Sequence, residues 1–189
     1  MENILNFCNI SGTSVKNFEG TRKYIATGDI IDNKIRSYGT VTYNNRPSRA
    51  NQNVKIGDII FAKMQNTIKV LKIENDNVNN IYSTGFYVIE PKKDVVTTDF
   101  LYWLFNSLSF NKQKDKNCNG ATQRALNNDG LAKIQIKYLP NLQEQNYIVQ
   151  TLNKLNDIIE LKKEEIKQFD ELIKSQFVEN AIFNRLEVA

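Results

Sequence analysis

The sequence predicts an α+β domain followed by one long α-helix. All eight glycines and all three prolines lie within residues 1–142, where short β-branched and aromatic runs alternate with turn residues. Residues 143–178 contain no Gly or Pro, and their apolar residues recur at helical spacing. We therefore expect a globular domain over residues 1–142, a helix over 143–178 and a tail without clear pattern over 179–189.

Six short runs in the first part are predicted strands, because β-branched and aromatic residues fill them. They are Tyr24–Ala26, Gly28–Ile31, Gly39–Tyr43, Asp58–Ala62, Lys69–Ile73 and Gly85–Ile89. A helix is predicted over Thr98–Leu108, with Thr97 or Thr98 as its N-cap. Its apolar stripe comprises Phe100, Leu101, Leu104, Phe105 and Leu108.

The second part has the pattern of a coiled-coil seam, because its apolar residues recur at alternating steps of four and three. Pro140 precedes it as a helix start signal, and 36 residues would span about 54 Å. A lone helix with such an apolar face needs a partner helix, which we expect from a second chain. The alternative is that it folds back over the first domain. The seam consists of Ile148, Leu152, Leu155, Ile159, Ile166, Phe169 and Ile173, with Lys162 at the skipped position.

Positive charge is concentrated in one block. The whole chain has a net charge of +4, yet residues 33–72 carry eight Lys or Arg side chains and one acidic residue, Asp58. Basic side chains contact phosphates, and Arg, Asn and Gln read base edges through paired hydrogen bonds. The block therefore favours nucleic-acid binding, with an ordinary solvated basic face as the alternative. Residues 119–124 form a second polar stretch.

The composition excludes several kinds of catalytic site. The chain has no histidine, which excludes Ser-His-Asp and Cys-His sites, and its two cysteines cannot form a four-ligand zinc site. With only Pro47, Pro91 and Pro140, the Asn/Asp-Pro-Pro motif of a DNA methyltransferase is impossible. Carboxylates near Lys63 could suggest a metal-dependent nuclease, but such spacings arise by chance. We expect a protein without catalytic residues or bound metal.

Cellular location is predicted from what the sequence lacks. The N-terminal residues do not resemble a signal peptide, and no apolar run approaches the length of a membrane span. Cys8 and Cys118 are expected to be reduced thiols. These features favour a cytoplasmic protein.

Four segments resemble type I restriction–modification specificity subunits. They are Tyr24-Ile25 with Gly28-Asp29-Ile30, then Gly57–Lys63 with Asn66-Thr67 and Lys69-Val70, then Asn119–Asn127, and finally Leu139–Gln145 with the helix after it. The last is the most specific, because a Pro-x-x-x-Glu-Gln element opens the long helix in that family. One departure is Gln65, which stands where the family commonly has Gly.

The resemblance implies a target recognition domain and a spacer helix. Such subunits usually hold two of each, so this chain resembles a half subunit that forms a homodimer through the helix and reads one half of a split DNA site. It also implies a methyltransferase partner that uses S-adenosylmethionine, to which a restriction subunit can be added, and no cofactor in this chain. Phosphate or guanine contacts are assigned to Arg46, Arg49, Lys63 and Lys69. Base-edge contacts are assigned to Asn51, Gln65, Asn66, Gln123 and Arg124.

Two other functions fit parts of the pattern. A stand-alone coiled-coil DNA-binding regulator would bind DNA tightly without a methyltransferase. A protein-interaction adaptor would lack the steep salt dependence that phosphate contacts impose.

Overall fold

A computed structural model of the chain describes the backbone of residues 1–186 and the side chains of residues 1–177. It divides into two compact units, Met1–Tyr147 and a second that begins at Ile148. The first unit therefore includes the first turn of the long helix. The sequence placed this boundary at residue 142, where the helix begins.

The first unit is built mainly from short strands. Their bounds are β1 Glu2–Asn3, β2 Cys8–Ile10, β3 Arg22–Ile25, β4 Ile30–Ile31, β5 Lys34–Ile35, β6 Gly39–Val41, β7 Ala50–Gln52, β8 Ile59–Ala62, β9 Val70–Lys72, β10 Ile81–Ser83, β11 Phe86–Pro91, β12 Cys118–Asn119, β13 Ala125–Leu126 and β14 Gln135–Ile136. Of the predicted strand over Gly28–Ile31, only Ile30 and Ile31 form a strand. Thr27–Asp29 form a 3-10 turn, in which Asp29 accepts a hydrogen bond from the Ala26 N–H.

Two four-stranded sheets form the body of the unit. The first has the order β2-β11-β8-β9 and is antiparallel, with Phe86 opposite Ala62 and Ile60 opposite Leu71. The second has the order β6-β3-β10-β7 and contains one parallel pair, β3 with β10. A short turn joins β10 to β11 and therefore connects the two sheets. Two-residue pairs complete the unit: β1 with β14, β4 with β5, and β12 with β13.

Three short helices lie between the later strands: α1 Thr98–Asn106, α2 Leu108–Lys116 and α3 Asn128–Leu131. The Thr97 hydroxyl caps α1 by accepting from the Phe100 N–H, as the sequence predicted. Ser107 has an extended backbone and caps α2, so the predicted helix ends before Leu108. Leu108 is consequently 66% exposed instead of belonging to the apolar stripe.

The main core lies between the first sheet and the helices. Phe61 from β8 packs against Phe105 and Phe110, with ring centroids 4.8 and 5.3 Å apart. Every residue of β8 is buried, as expected for a strand covered on both faces. A second cluster around Tyr82 and Phe86 fills the space near β10.

The long helix, α4, runs over Leu142–Leu186. It begins one residue before the predicted start and continues eight residues beyond Val178, into the segment that the sequence placed in a tail. Residues 187–189 lie outside the described residues. The predicted α+β architecture with a long C-terminal helix is confirmed.

Candidate nucleic-acid interface

Several connections of the first unit meet at one end of its sheets. Ala62, at the end of β8, pairs with Phe86, at the start of β11, so the loop over residues 63–69 lies beside the Thr84–Gly85 turn. Ser83, at the end of β10, is opposite Ala50, at the start of β7, which brings Arg49 to the same end. We call the segments 47–49, 63–69, 84–85 and 118–124 the loop end.

Backbone hydrogen bonds join these segments into one surface. The Thr84 N–H donates to the Arg49 carbonyl at 2.9 Å, and the Lys63 N–H donates to the Gly85 carbonyl at 2.9 Å. The Gln65 N–H donates to the Arg124 carbonyl at 3.0 Å. Residues far apart in sequence are thus held side by side.

Lys63 lies at the centre of this surface and is half-buried. Its Nζ donates to the Thr84 carbonyl at 3.0 Å and lies 4.5 Å from the centre of the Tyr87 ring. Burial lowers the pKa of its ammonium group. Lys63 also lines a groove of mixed polar and apolar character, and its other residues include Asn51, Gln52, Thr84, Phe86 and Val88.

The loop over residues 63–69 is tied down by its own side chains. Gln65 Nε2 donates to the Asp115 carbonyl at 3.1 Å, and Lys69 Nζ donates to the Thr27 carbonyl at 2.7 Å. Asn66 differs from both, because its side chain is exposed and its backbone has a φ of 56°. Within the described residues, the Asn66 side chain makes no hydrogen bond.

The loop after α2 presents the two remaining polar candidates. Gln123 and Arg124 are both exposed. One Arg124 nitrogen, Nη2, donates to the Cys118 carbonyl at 3.1 Å, which leaves the other side-chain donors facing solvent. Gly120 has a φ of 125°, and a Cβ there would lie 2.5 Å from the Gln123 carbonyl oxygen. This turn therefore requires glycine.

The candidate residues in and just before β7 differ in whether their side chains are free to contact a ligand. Arg46 Nε donates to the Ala50 carbonyl at 3.1 Å, and its guanidinium lies 4.0 Å from the centre of the Tyr43 ring. Asn51 Oδ1 accepts from the Val15 N–H at 3.1 Å. Arg46 and Asn51 thus have structural contacts, whereas Arg49 is exposed.

The structure therefore brings most of the predicted site residues to one end of the unit but uses them differently. The exposed members are Arg49, Asn66, Gln123 and Arg124. The half-buried members bond to backbone groups of other residues in the first unit, and they are Arg46, Asn51, Lys63, Gln65 and Lys69. The sequence gives no signal for Lys114 and Asp115, whose contacts hold the 63–69 loop, because a lysine in a polar stretch is usually solvated.

The predicted seam of α4 is largely exposed in the single chain. Ile148 and Leu152 are half-buried. The other five members are between 52% and 63% exposed, and they are Leu155, Ile159, Ile166, Phe169 and Ile173. Lys162, at the skipped position, forms an ion pair with Glu165 at 2.7 Å.

Both thiols are buried and free. Burial raises the pKa of the Cys8 thiol to about 12, with a smaller opposing effect from Lys92. Burial also raises the pKa of the Cys118 thiol. No helix among the described residues is long and apolar enough to cross a membrane.

Comparison with known proteins identifies the family. The type I restriction modification DNA specificity domain matches residues 4–170. The chain belongs to this family. It is 27% identical over 158 residues to the type I restriction enzyme HindI specificity subunit of Haemophilus influenzae (strain ATCC 51907 / DSM 11121 / KW20 / Rd), covering 82% of this chain and 34% of that protein.

Solved structures of this specificity family have the same fold. The HsdS subunit from Thermoanaerobacter tengcongensis is 26% identical, with a TM-score of 0.70 over 82% of this chain and 41% of that one. A chain from a study of complex assembly and conformational transition of the type I R-M system is 22% identical, with a TM-score of 0.66 over 92% of this chain and 49% of that one. The chain therefore spans between a third and a half of these relatives.

The segment that most resembles the specificity family opens α4 through side-chain contacts. Asn141 Oδ1 accepts from the Glu144 N–H at 3.0 Å, and Glu144 Oε2 accepts from the Asn141 N–H at 3.2 Å, which forms a capping box. Gln145 is fully buried, and its Nε2 donates to the Val95 and Pro140 carbonyls, both at 2.8 Å. The Pro-x-x-x-Glu-Gln element thus fixes the first turn of α4 to the first unit.

Proposed function

We propose that this chain is a recognition subunit that reads one half of a split DNA site for a type I restriction–modification system. The reading surface is the loop end. Arg49 supplies a phosphate or guanine contact, and Asn66, Gln123 and Arg124 supply contacts to base edges. In this proposal the chain itself performs no chemistry.

One observation carries the proposal: four exposed polar side chains from three separate segments meet on the loop end. Arg49, Asn66, Gln123 and Arg124 are hydrogen-bond donors, and backbone hydrogen bonds fix the segments that present them. Base readout needs donors and acceptors at fixed positions, because a base pair is distinguished by paired hydrogen bonds. The nucleic acid in this proposal is DNA, because the chain belongs to a family of DNA specificity domains.

The exposed face of α4 is the proposed dimerisation surface. Leu155 and Ile159 are each more than half exposed, and coiled-coil pairing would bury them. A second copy of this chain would supply the partner helix and a second reading domain. Because a symmetric dimer presents the same surface twice, its DNA site would be an inverted repeat with an unread spacer.

Catalysis is assigned to partner subunits. The partner would be a methyltransferase that uses S-adenosylmethionine, to which a restriction subunit could be added. We propose that α4 and the adjoining part of the first unit dock this methyltransferase, and that the assembly acts in the cytoplasm.

The test is selection of bound duplexes from a random pool, with the full chain and a type I methyltransferase subunit from the same genome. A split inverted repeat is the expected result. A split asymmetric site would show instead that the chain pairs with a different specificity chain. Absence of any enriched sequence, with both proteins folded and associated, would overturn the reading function.

Two controls separate the other functions. The same selection without the methyltransferase tests for a stand-alone regulator, which would enrich the same site equally well alone. A salt series tests for an adaptor. For DNA binding through phosphate contacts, the logarithm of the binding constant falls linearly with the logarithm of the salt concentration, whereas an adaptor would lack this steep dependence.

A further inference from the structure

Lys114, near the end of α2, is a buried lysine. Its side chain is 1% exposed, and its Nζ lies 3.7 Å from Asp115 Oδ1 and donates to the Thr67 carbonyl. Burial lowers the pKa of the ammonium group, and Asp115 partly opposes this effect. An apolar side chain would fill the space without the desolvation of a charge, so stability alone does not account for a lysine here.

Lys114 and Asp115 hold one short loop from two directions. Asp115 Oδ1 accepts from the Asn66 N–H at 3.0 Å, and the Asp115 carbonyl accepts from Gln65 Nε2 at 3.1 Å. Lys114 holds the next residue, Thr67. Two consecutive helix residues therefore fix three consecutive loop residues.

The consequence is seen at Asn66. Its φ of 56° lies in the left-handed region, which is unfavourable for a residue other than glycine and persists where the surroundings impose it. Its side chain is exposed, with Met64 and Ile68 on either side 37% and 51% exposed. The loop thus presents one amide side chain on a fixed backbone.

We propose that Lys114 and Asp115 are positioning residues for DNA recognition, which hold the Gln65–Thr67 loop so that Asn66 meets a base edge. This inference rests on the proposed DNA-reading function. Neither residue needs to touch DNA. Loss of either one should therefore reduce discrimination between sequences and leave the number of phosphate contacts unchanged.

The first test measures the loop directly in the full chain, by hydrogen exchange of the Asn66 backbone N–H, which donates to Asp115 Oδ1. Asp115→Ala and Lys114→Met should each accelerate exchange about tenfold, because each removes one hydrogen bond that holds the loop. Asp115→Asn retains the Oδ1 acceptor and should restore the wild-type rate. Lys112→Met is the matched control, because Lys112 is exposed on the same helix. Wild-type exchange in Asp115→Ala would overturn the proposal, even if Lys114→Met did not fold.

The second test measures DNA binding of the same variants with the methyltransferase. The affinity ratio between the selected site and its single-base variants should fall about tenfold in Asp115→Ala and recover in Asp115→Asn. The salt dependence should match that of wild type. A drop of about 0.9 in the slope of log K against log salt for Lys114→Met would show a phosphate contact and overturn the positioning role.

The two proposals fail differently. If wild type discriminates between sequences and Asp115→Ala discriminates equally well, the positioning role is wrong and the reading function stands. If wild type does not discriminate at all, the reading function is wrong, and the positioning role falls with it.

Discussion

Gln145 Oε1 accepts a hydrogen bond from the Thr97 N–H at 2.9 Å, while the Thr97 hydroxyl caps the first turn of α1. One threonine therefore connects the beginnings of two helices. The Gln145 side chain also donates to the Val95 and Pro140 carbonyls, so a single buried amide satisfies three backbone groups.

Gln145→Ala should lower the free energy of unfolding by about 2–4 kcal/mol, because it leaves buried backbone groups without partners. Urea unfolding of the full chain measures this. Asn146→Ala is the control, since Asn146 is exposed and its loss should change stability by less than about 0.5 kcal/mol. Equal effects of the two substitutions would contradict the role of Gln145.

Asn66→Gly should reduce discrimination at one base pair of the site without loss of stability. Glycine adopts the backbone of Asn66 readily, so only the side chain is lost. We expect a loss of about 1–3 kcal/mol in preference for one base pair of the site, measured from affinities for single-base variants. The matched control is Asn33→Gly. Asn33 has a φ of 57°, but its side chain accepts from the Val70 N–H, so this substitution should reduce stability and leave discrimination intact.

Arg49→Ala and Arg46→Ala should have different effects. Arg49 is exposed, so its loss should weaken DNA binding and reduce the slope of log K against log salt by about 0.9. The Arg46 guanidinium donates to the Tyr43 and Ala50 carbonyls, so its loss should lower the melting temperature and leave the salt slope nearly unchanged. Salt titrations and thermal unfolding of both variants test this. The opposite assignment of effects would exchange the roles of the two arginines.

Leu155→Glu with Ile159→Glu should convert dimers into monomers, because two charges at seam positions cannot be buried together. Sedimentation velocity over a concentration series measures this. Gln150→Glu with Lys154→Glu places the same side chains outside the predicted seam and should leave the dimer intact. If the seam variant still sediments as a dimer, α4 is not the interface.

Stability should decrease in alkaline solution through Cys8. Its pKa of about 12 in the folded chain exceeds the ordinary value of 9.0, so the folded state retains a proton that the unfolded state releases. The free energy of unfolding therefore falls as pH rises from 9 towards 12, by about 1.4 kcal/mol between pH 8 and pH 10. In Cys8→Ala this part of the decrease should disappear. Urea unfolding at the two pH values tests it, and an unchanged decrease in Cys8→Ala would show that other groups cause it.

The predictable parts of the fold are those with a local signal. The run Ile59–Ala62, the Thr97 cap and the absence of Gly and Pro along α4 each specify their element through neighbouring residues alone. By contrast, β7 and β10 were not predicted, because a three-residue strand carries little pattern and depends on partners distant in sequence. The sequence does not indicate helix α2 for a similar reason, since its composition is polar and its buried Lys114 bonds to Thr67, which lies 47 residues away.

The reading surface shows the same limit. The polar residues predicted to contact DNA lie in a few short stretches of the chain, and the structure places most of them at one end of the sheets. The sequence does not distinguish the exposed side chains from those that bond within the domain. Lys69, for example, donates to a carbonyl 42 residues away, and nothing in the local sequence indicates which carbonyl lacks a partner.

The pairing of β1 with β14 has a consequence for synthesis. Glu2 lies opposite Ile136 and Asn3 opposite Gln135, so β1 pairs only after one of the last segments of the first unit has been made. On the ribosome this strand remains unpaired until Ile136 has left the exit tunnel, by which time much of α4 has already been translated and lies inside the tunnel. Closure of the domain and emergence of the helix therefore fall close together in time.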